Sequence, residues 1–151
     1  MRCTRTLMLL LGVTFVTSCS DGLDPARDLS GLWLGTGPNG MTYQDNVDNP
    51  NCVYEGDVRI TLIQDGTALT GSFNLTVRES TKLLQTSLPC VPVGASSNQA
   101  LFGSVNGTTV EFGLTDLITS FSGTFTSDIL TGTISSSSST GIRGTLRAVR
   151  D

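Results

Sequence analysis

The chain has 151 residues, which allows one domain, and it is 38% apolar and 15% charged with a net charge of −4. Seventeen Ser and 22 Thr make up the difference, and there is no His. The missing His excludes Ser-His-Asp and Cys-His catalysis and any His-containing zinc site. Nine Lys and Arg against 13 acids, with no basic run, argue against nucleic-acid binding.

At the N-terminus, Arg2 and Arg5 precede ten mainly apolar residues, 7–16. Ten helical residues span about 15 Å, half of a bilayer core of about 30 Å, so this is a signal-peptide apolar region and not a membrane span. Val16-Thr17-Ser18-Cys19 follows. This segment resembles the bacterial lipobox: an aliphatic residue, two small residues, then Cys. The resemblance implies cleavage after residue 18, a diacylglycerol thioether and an N-linked acyl chain (palmitate) on Cys19, and a lipid-anchored envelope protein. No other cofactor is expected. Ser20 stands where the associated sorting rule has Asp for inner-membrane retention, so the expected address is the periplasmic face of the outer membrane. Residues 1–18 would be the signal peptide, 19–28 the acylated Cys and a polar tether, and 29–151 a single domain. Losing Arg2 and Arg5 leaves seven cations against 13 acids, a net charge of −6. Such a body is repelled by anionic lipid, which leaves attachment to the acyl chains.

Of four Cys, Cys3 leaves with the signal and Cys19 is the lipid site. Cys52 and Cys90 remain in an oxidising compartment and are expected to form a structural disulfide.

From residue 29 onward the hydrophobic period is two. A unit of large apolar, x, Gly, x, large apolar recurs as Leu29-Gly31-Trp33, Leu69-Gly71-Phe73, Leu101-Gly103-Val105, Phe121-Gly123-Phe125, Leu130-Gly132-Ile134 and Ile142-Gly144-Leu146. Residues two apart share a strand face, so each unit sets two large side chains and a Gly on one side. Thr and Ser mostly hold the alternate positions and suit a wet face. Val58-Ile60-Leu62 and Val110-Phe112-Leu114 keep the alternation without the Gly. Asp65-Gly66 and Asn106-Gly107 mark hairpin turns, as does Ser127-Asp128. Residues 79–88 are ambiguous between strand and helical turn, which leaves seven or eight strands. The expected fold is all-β: an antiparallel up-and-down meander, closed as a small eight-stranded barrel.

Inner-face Gly lets strands coil at barrel corners. It also leaves volume across from Trp33, Phe73, Phe121 and Phe125, to be filled by those rings or by a ligand. Gly31-Leu32-Trp33 resembles the Gly-x-Trp of lipocalins and their calycin relatives. The resemblance implies a calycin-like barrel in which an Arg of the last strand packs over the Trp. That strand carries Arg143 and Arg147, on the face opposite Gly144 and Leu146. The same opening is similar to avidin-type barrels and to periplasmic metalloprotease inhibitors.

Residues 45–51 concentrate oxygen ligands but lack the spaced carboxylates of a calcium loop, so no metal is expected. Glu55 and Asp57 share a strand face at about 6–7 Å, but no aromatic platform accompanies them as a glycosidase would need. Asn74-Leu75-Thr76 and Asn106-Gly107-Thr108 fit the glycosylation pattern, the second reading better as a turn. No nucleophile–base pair can be assembled, and no catalytic residue is assigned. Two functions follow. One is a non-enzymatic binding protein holding a small apolar ligand against Trp33, Phe73, Phe121, Phe125 and Leu146. The other is a protein-interaction module, a protease inhibitor or envelope assembly factor, whose partner is a periplasmic protein held by loops 38–51 and 86–97, stapled through Cys52 and Cys90.

Overall fold

The computed structural model describes residues 28–37, 40–45, 52–83, 89–115, 119–136 and 141–151. Residues 1–27, with the lipobox-like segment and Cys19, lie outside the described residues.

Among the described residues are nine strands and no α-helix: β1 Gly31–Gly35, β2 Met41–Asp45, β3 Cys52–Asp65, β4 Ala68–Lys82, β5 Ser96–Asn106, β6 Thr109–Leu114, β7 Thr119–Phe125, β8 Ile129–Ser136 and β9 Arg143–Arg150. All pairings are antiparallel. From β3 to β9 each strand pairs with the next, forming the expected meander. Closure comes from β1 and β2 together. Gly31–Gly35 pairs with the second half of β3, and Met41–Asp45 pairs with its first half. Both also pair with β9. They are two pieces of one interrupted strand, so nine strands occupy eight positions around a closed barrel.

Three expectations need adjusting. Residues 41–45 belong to the segment read as a loop, yet they form β2. Residues 79–82 add no separate strand but extend β4, past a bulge at Glu55/Gly56. Cys52 is the first residue of β3 and not a loop residue.

The repeated unit behaves as its period demands except at two positions: Gly31 is exposed, with open space where its Cβ would stand, and Ile142 is only half-buried. Leu69, Phe73, Leu101, Val105, Phe121, Phe125, Leu130, Ile134 and Leu146 are all buried, in one hydrophobic cluster filling the barrel. Each such side chain stabilises the fold by roughly 1.5–3 kcal/mol relative to an exposed one. The intervening glycines allow neighbouring strands to close in. A Cβ on Gly123 or Gly132 would strike the Phe121 ring as well as a carbonyl of the next strand. There the ring occupies the volume the glycines leave.

The outer wall is polar. Register aligns Ser104, Glu111, Ser122, Thr133, Thr145 and Thr42 as one cross-strand row running from β5 round to β2. Such hydroxyls keep β-propensity without creating a second apolar face.

Candidate functional site

Strand direction sorts the connections between two ends. The turns after β3, β5 and β7 lie at one end, with the start of β1 and the chain terminus. The connections after β2, β4, β6 and β8 lie at the other. The first three are short: Gly66 and Gly107 each take φ of 60°, as tight turns of this type need. The other four include residues 46–51, 84–88, 116–118 and 137–140, outside the described residues.

The short-turn end is plugged. Leu29 and Trp33 are fully buried. The Trp33 Nε1–H donates to the Leu29 carbonyl at 2.9 Å, and the Leu29 amide donates to Gln64 Oε1 at 2.9 Å. Ser30 Oγ accepts the Gln64 amide at 3.0 Å. The Arg150 guanidinium lies over the indole, 4.7 Å from its centroid, and donates to the Ser30 and Asp28 carbonyls. The Ser30 hydroxyl and amide beside Asp28 hold that carboxyl below its ordinary value. The calycin resemblance implies an Arg over this Trp, and the chain supplies one. It is Arg150, on the inner face with Gly144, Leu146 and Ala148, while Arg143 and Arg147 are exposed on the outer face. Counting by twos from Leu146 reaches it at the last residue of β9.

The predicted ligand-lining residues Trp33, Phe73, Phe121, Phe125 and Leu146 do gather in the interior, all at least 97% buried. They are packed as core: Trp33 belongs to the plug, Phe121 fills two glycine seats, and the Phe112 and Phe121 rings stack at 4.7 Å.

The long-loop end is built differently. Cys52 and Cys90 are disulfide-bonded, with Cα atoms 5.9 Å apart. The bridge ties residues 89–95 to the start of β3. Gly94 N–H donates to the Val77 carbonyl at 2.8 Å, and Val77 N–H donates to the Ala95 carbonyl at 2.9 Å, so this segment docks on β4. Its turn runs from Pro92 to Ala95, whose amide donates to the Pro92 carbonyl at 3.2 Å, with Gly94 at φ 88°. Under it, Tyr43 and Tyr54 face each other across β2 and β3 with ring centroids 4.9 Å apart. The Tyr54 hydroxyl accepts the Val91 amide at 3.1 Å. Burial, then the neighbouring Tyr54 and Asp45, push the Tyr43 phenol up to about 12. A chamber of about 120 Å³ remains, lined by Tyr43, Leu75, Val77, Val91, Ala95, Ser96 and Ser97. Val93, within the docked segment, and Leu83, just past the end of β4, are exposed apolar side chains.

The other candidate groups are engaged elsewhere. Asp57 pairs with Arg78 at 2.9 Å and accepts the Gly37 amide at 3.1 Å. Glu55 sits across from Glu79, on the far side of the bulge from Asp57. Among the described residues no three His, Cys, Asp or Glu side chains converge to hold a metal. Of residues 45–51, Asp45 ends β2 and the rest lie outside the described residues. Asn74 and Asn106 both lie on strands, the second opening the β5–β6 turn.

No family model, no curated protein and no solved structure matches the chain.

Proposed function

We propose that this is a lipid-anchored, non-enzymatic binding protein of the bacterial periplasm, with a calycin-like barrel serving as scaffold for a protein-binding loop face. The observation that carries the reading is the division of labour between the barrel's ends. Leu29, where the tether from Cys19 arrives, is fixed at the short-turn end by Gln64 and Trp33. The disulfide-braced segment 89–95 and the other long connections emerge at the opposite end. A lipid on Cys19, beneath the outer membrane's periplasmic leaflet, would hold the plugged end toward the bilayer. The 11 residues of β5, rising about 3.3 Å each at a barrel tilt of about 40°, put the loop face roughly 25–30 Å further out. Val93 and Leu83, both exposed on this side of the barrel, offer apolar surface that a partner could bury.

A photo-crosslinking amino acid at Val93 in the full-length lipoprotein, expressed in its own envelope, tests this. The expected result is a discrete protein adduct that is absent for the same probe at Thr108 and is lost when Cys90 becomes Ser. Equal adducts from both ends would refute a loop-face role. The carrier reading, in which a small apolar ligand occupies the barrel, draws on the chamber beneath residues 89–95. Native mass spectrometry discriminates: a reproducible small-molecule mass, lost when Ala95→Trp fills the chamber, supports the carrier, and a bare mass supports the scaffold.

A further inference from the structure

We propose that the outer wall of the barrel across β5, β6 and β7 binds a saccharide. A groove of about 410 Å³ lies there, lined among others by Phe102, Ser104, Glu111, Gly113, Ser120 and Ser122. That volume is within the range of small-ligand sites. Two register rows build it. Phe102 stands opposite Gly113, which stands opposite Ser120, and Ser104 stands opposite Glu111, which stands opposite Ser122. Three adjacent strands at about 4.8 Å therefore give a surface two rows deep and about 10 Å wide.

Phe102 is the anomaly that draws attention to this wall. It is 56% exposed, at the alternate position of a Gly unit where most other units place Ser or Thr. An exposed aromatic opposite a strand glycine commonly shields that glycine. Here it does not: a Cβ built on Gly113 meets nothing nearer than the Thr119 carbonyl at 4.0 Å. The ring forms a wall and the bare glycine forms an open floor beside it.

The polar lining selects the ligand. Ser104, Ser120 and Ser122 each offer a hydroxyl that donates and accepts, and Glu111 accepts only. Ser120 Oγ donates to the Ser135 carbonyl at 3.3 Å and Ser122 Oγ to Glu111 Oε1 at 3.5 Å, which leaves acceptor positions on all three groups. No Lys or Arg lines the groove, and the carboxylate repels anions, so phosphate and sulfate groups do not fit. A peptide cannot add as a strand, because β5, β6 and β7 are each paired on both sides. What fits is a molecule with one apolar face for the Phe102 ring and a rim of hydroxyl donors. A neutral or N-acetylated pyranose has that shape, whether it comes from a wall polymer or from a soluble glycan.

Saturation-transfer NMR on the full chain in detergent, with chitotriose, cellotriose and glucose 6-phosphate as probes, tests the proposal. Transfer to chitotriose alone assigns an N-acetylated wall-type source, and transfer to cellotriose assigns a neutral glycan. Phe102→Ser should weaken binding about tenfold, the worth of one aromatic contact. Gly113→Val should abolish it by filling the floor. Ile63→Ser, which removes another exposed apolar side chain outside the groove, should change nothing, and far-ultraviolet circular dichroism should show all variants folded. Absence of transfer to both neutral trisaccharides overturns the proposal. So does transfer that survives Phe102→Ser and Gly113→Val together, or a preference for glucose 6-phosphate.

Discussion

The two ends of this barrel close by different chemistry. At the short-turn end the chain plugs itself: Leu29 and Trp33 are fully buried, Arg150 covers the indole, and turns of two or three residues join the strands. At the other end a disulfide, two backbone hydrogen bonds to Val77 and one from the Val91 amide to the Tyr54 hydroxyl hold segment 89–95 over a stacked tyrosine pair and a small chamber. The first closure consists of side-chain burial and does not depend on redox state. The second depends on a covalent bond that exists only in an oxidising compartment. Both closures rest on one continuous core, which runs from Leu29 and Trp33 at the plug to Tyr43, Tyr54 and Val77 beneath segment 89–95.

That contrast is broken most directly at the plug. Trp33→Ala removes the largest side chain of the closed end and the donor to the Leu29 carbonyl. A loss of about 3–5 kcal/mol in denaturant unfolding is expected. A loss below about 1 kcal/mol would mean that the plug is not what holds the short-turn end. Next comes the bridge. Cys52 and Cys90 are 38 residues apart, and removing their bond should cost about 3–4 kcal/mol on the chain-entropy account. The sharper readout is where the loss falls. In hydrogen exchange of the Cys52→Ser, Cys90→Ser variant, the amides of Gly94, Ala95 and Val91 should lose protection. Those of Leu29 and Gln64 should keep theirs. Uniform loss over both ends would show one cooperative unit and dissolve the contrast.

The plugged end was the more legible one in the sequence, and for a physical reason. Its strands keep strict alternation up to their turns, and Asp65-Gly66 and Asn106-Gly107 state the turn type outright. Period two also placed Phe73, Phe121, Phe125 and Leu146 inside. What it could not tell is whether they leave room, since that depends on where the Phe121 ring goes relative to Gly123 and Gly132 on two different strands. At the loop end, β2 escaped notice. Its apolar pattern is only Met41 and Tyr43, set between a Gly-rich stretch and the polar run 44–51, and it is a strand because β3 and β9 both pair with it. The Cys pair could be matched by elimination, yet nothing local showed that Cys52 begins a strand.

A smaller effect separates Arg150 from the plug it covers. Arg150→Ala removes a cation over an aromatic face and two hydrogen bonds to carbonyls, together about 1–2 kcal/mol. Arg150→Lys keeps the charge but loses the planar fork, and should recover only part of the melting temperature. Trp33 fluorescence should shift to longer wavelength in the Ala variant as water reaches the indole. An unchanged spectrum would place the seal with Leu29 alone.

The mildest test belongs to the loop end and uses pH. Burial, reinforced by Tyr54 and Asp45, raises the Tyr43 phenol from 10.0 to about 12. The unfolded chain therefore releases this proton at lower pH than the folded one. The stability tied to the neutral phenol is complete below pH 10.0 and is lost as pH rises toward about 12. Ultraviolet titration should show a phenolate step in that range that Tyr43→Phe removes. The variant should also lose less stability than the parent over the same range. Because the phenol stacks on Tyr54 and lines the chamber, its ionisation should loosen segment 89–95 before it disturbs Trp33. If tryptophan fluorescence changes at the same pH as the phenolate signal, the two ends unfold together and the loop face has no independence from the barrel.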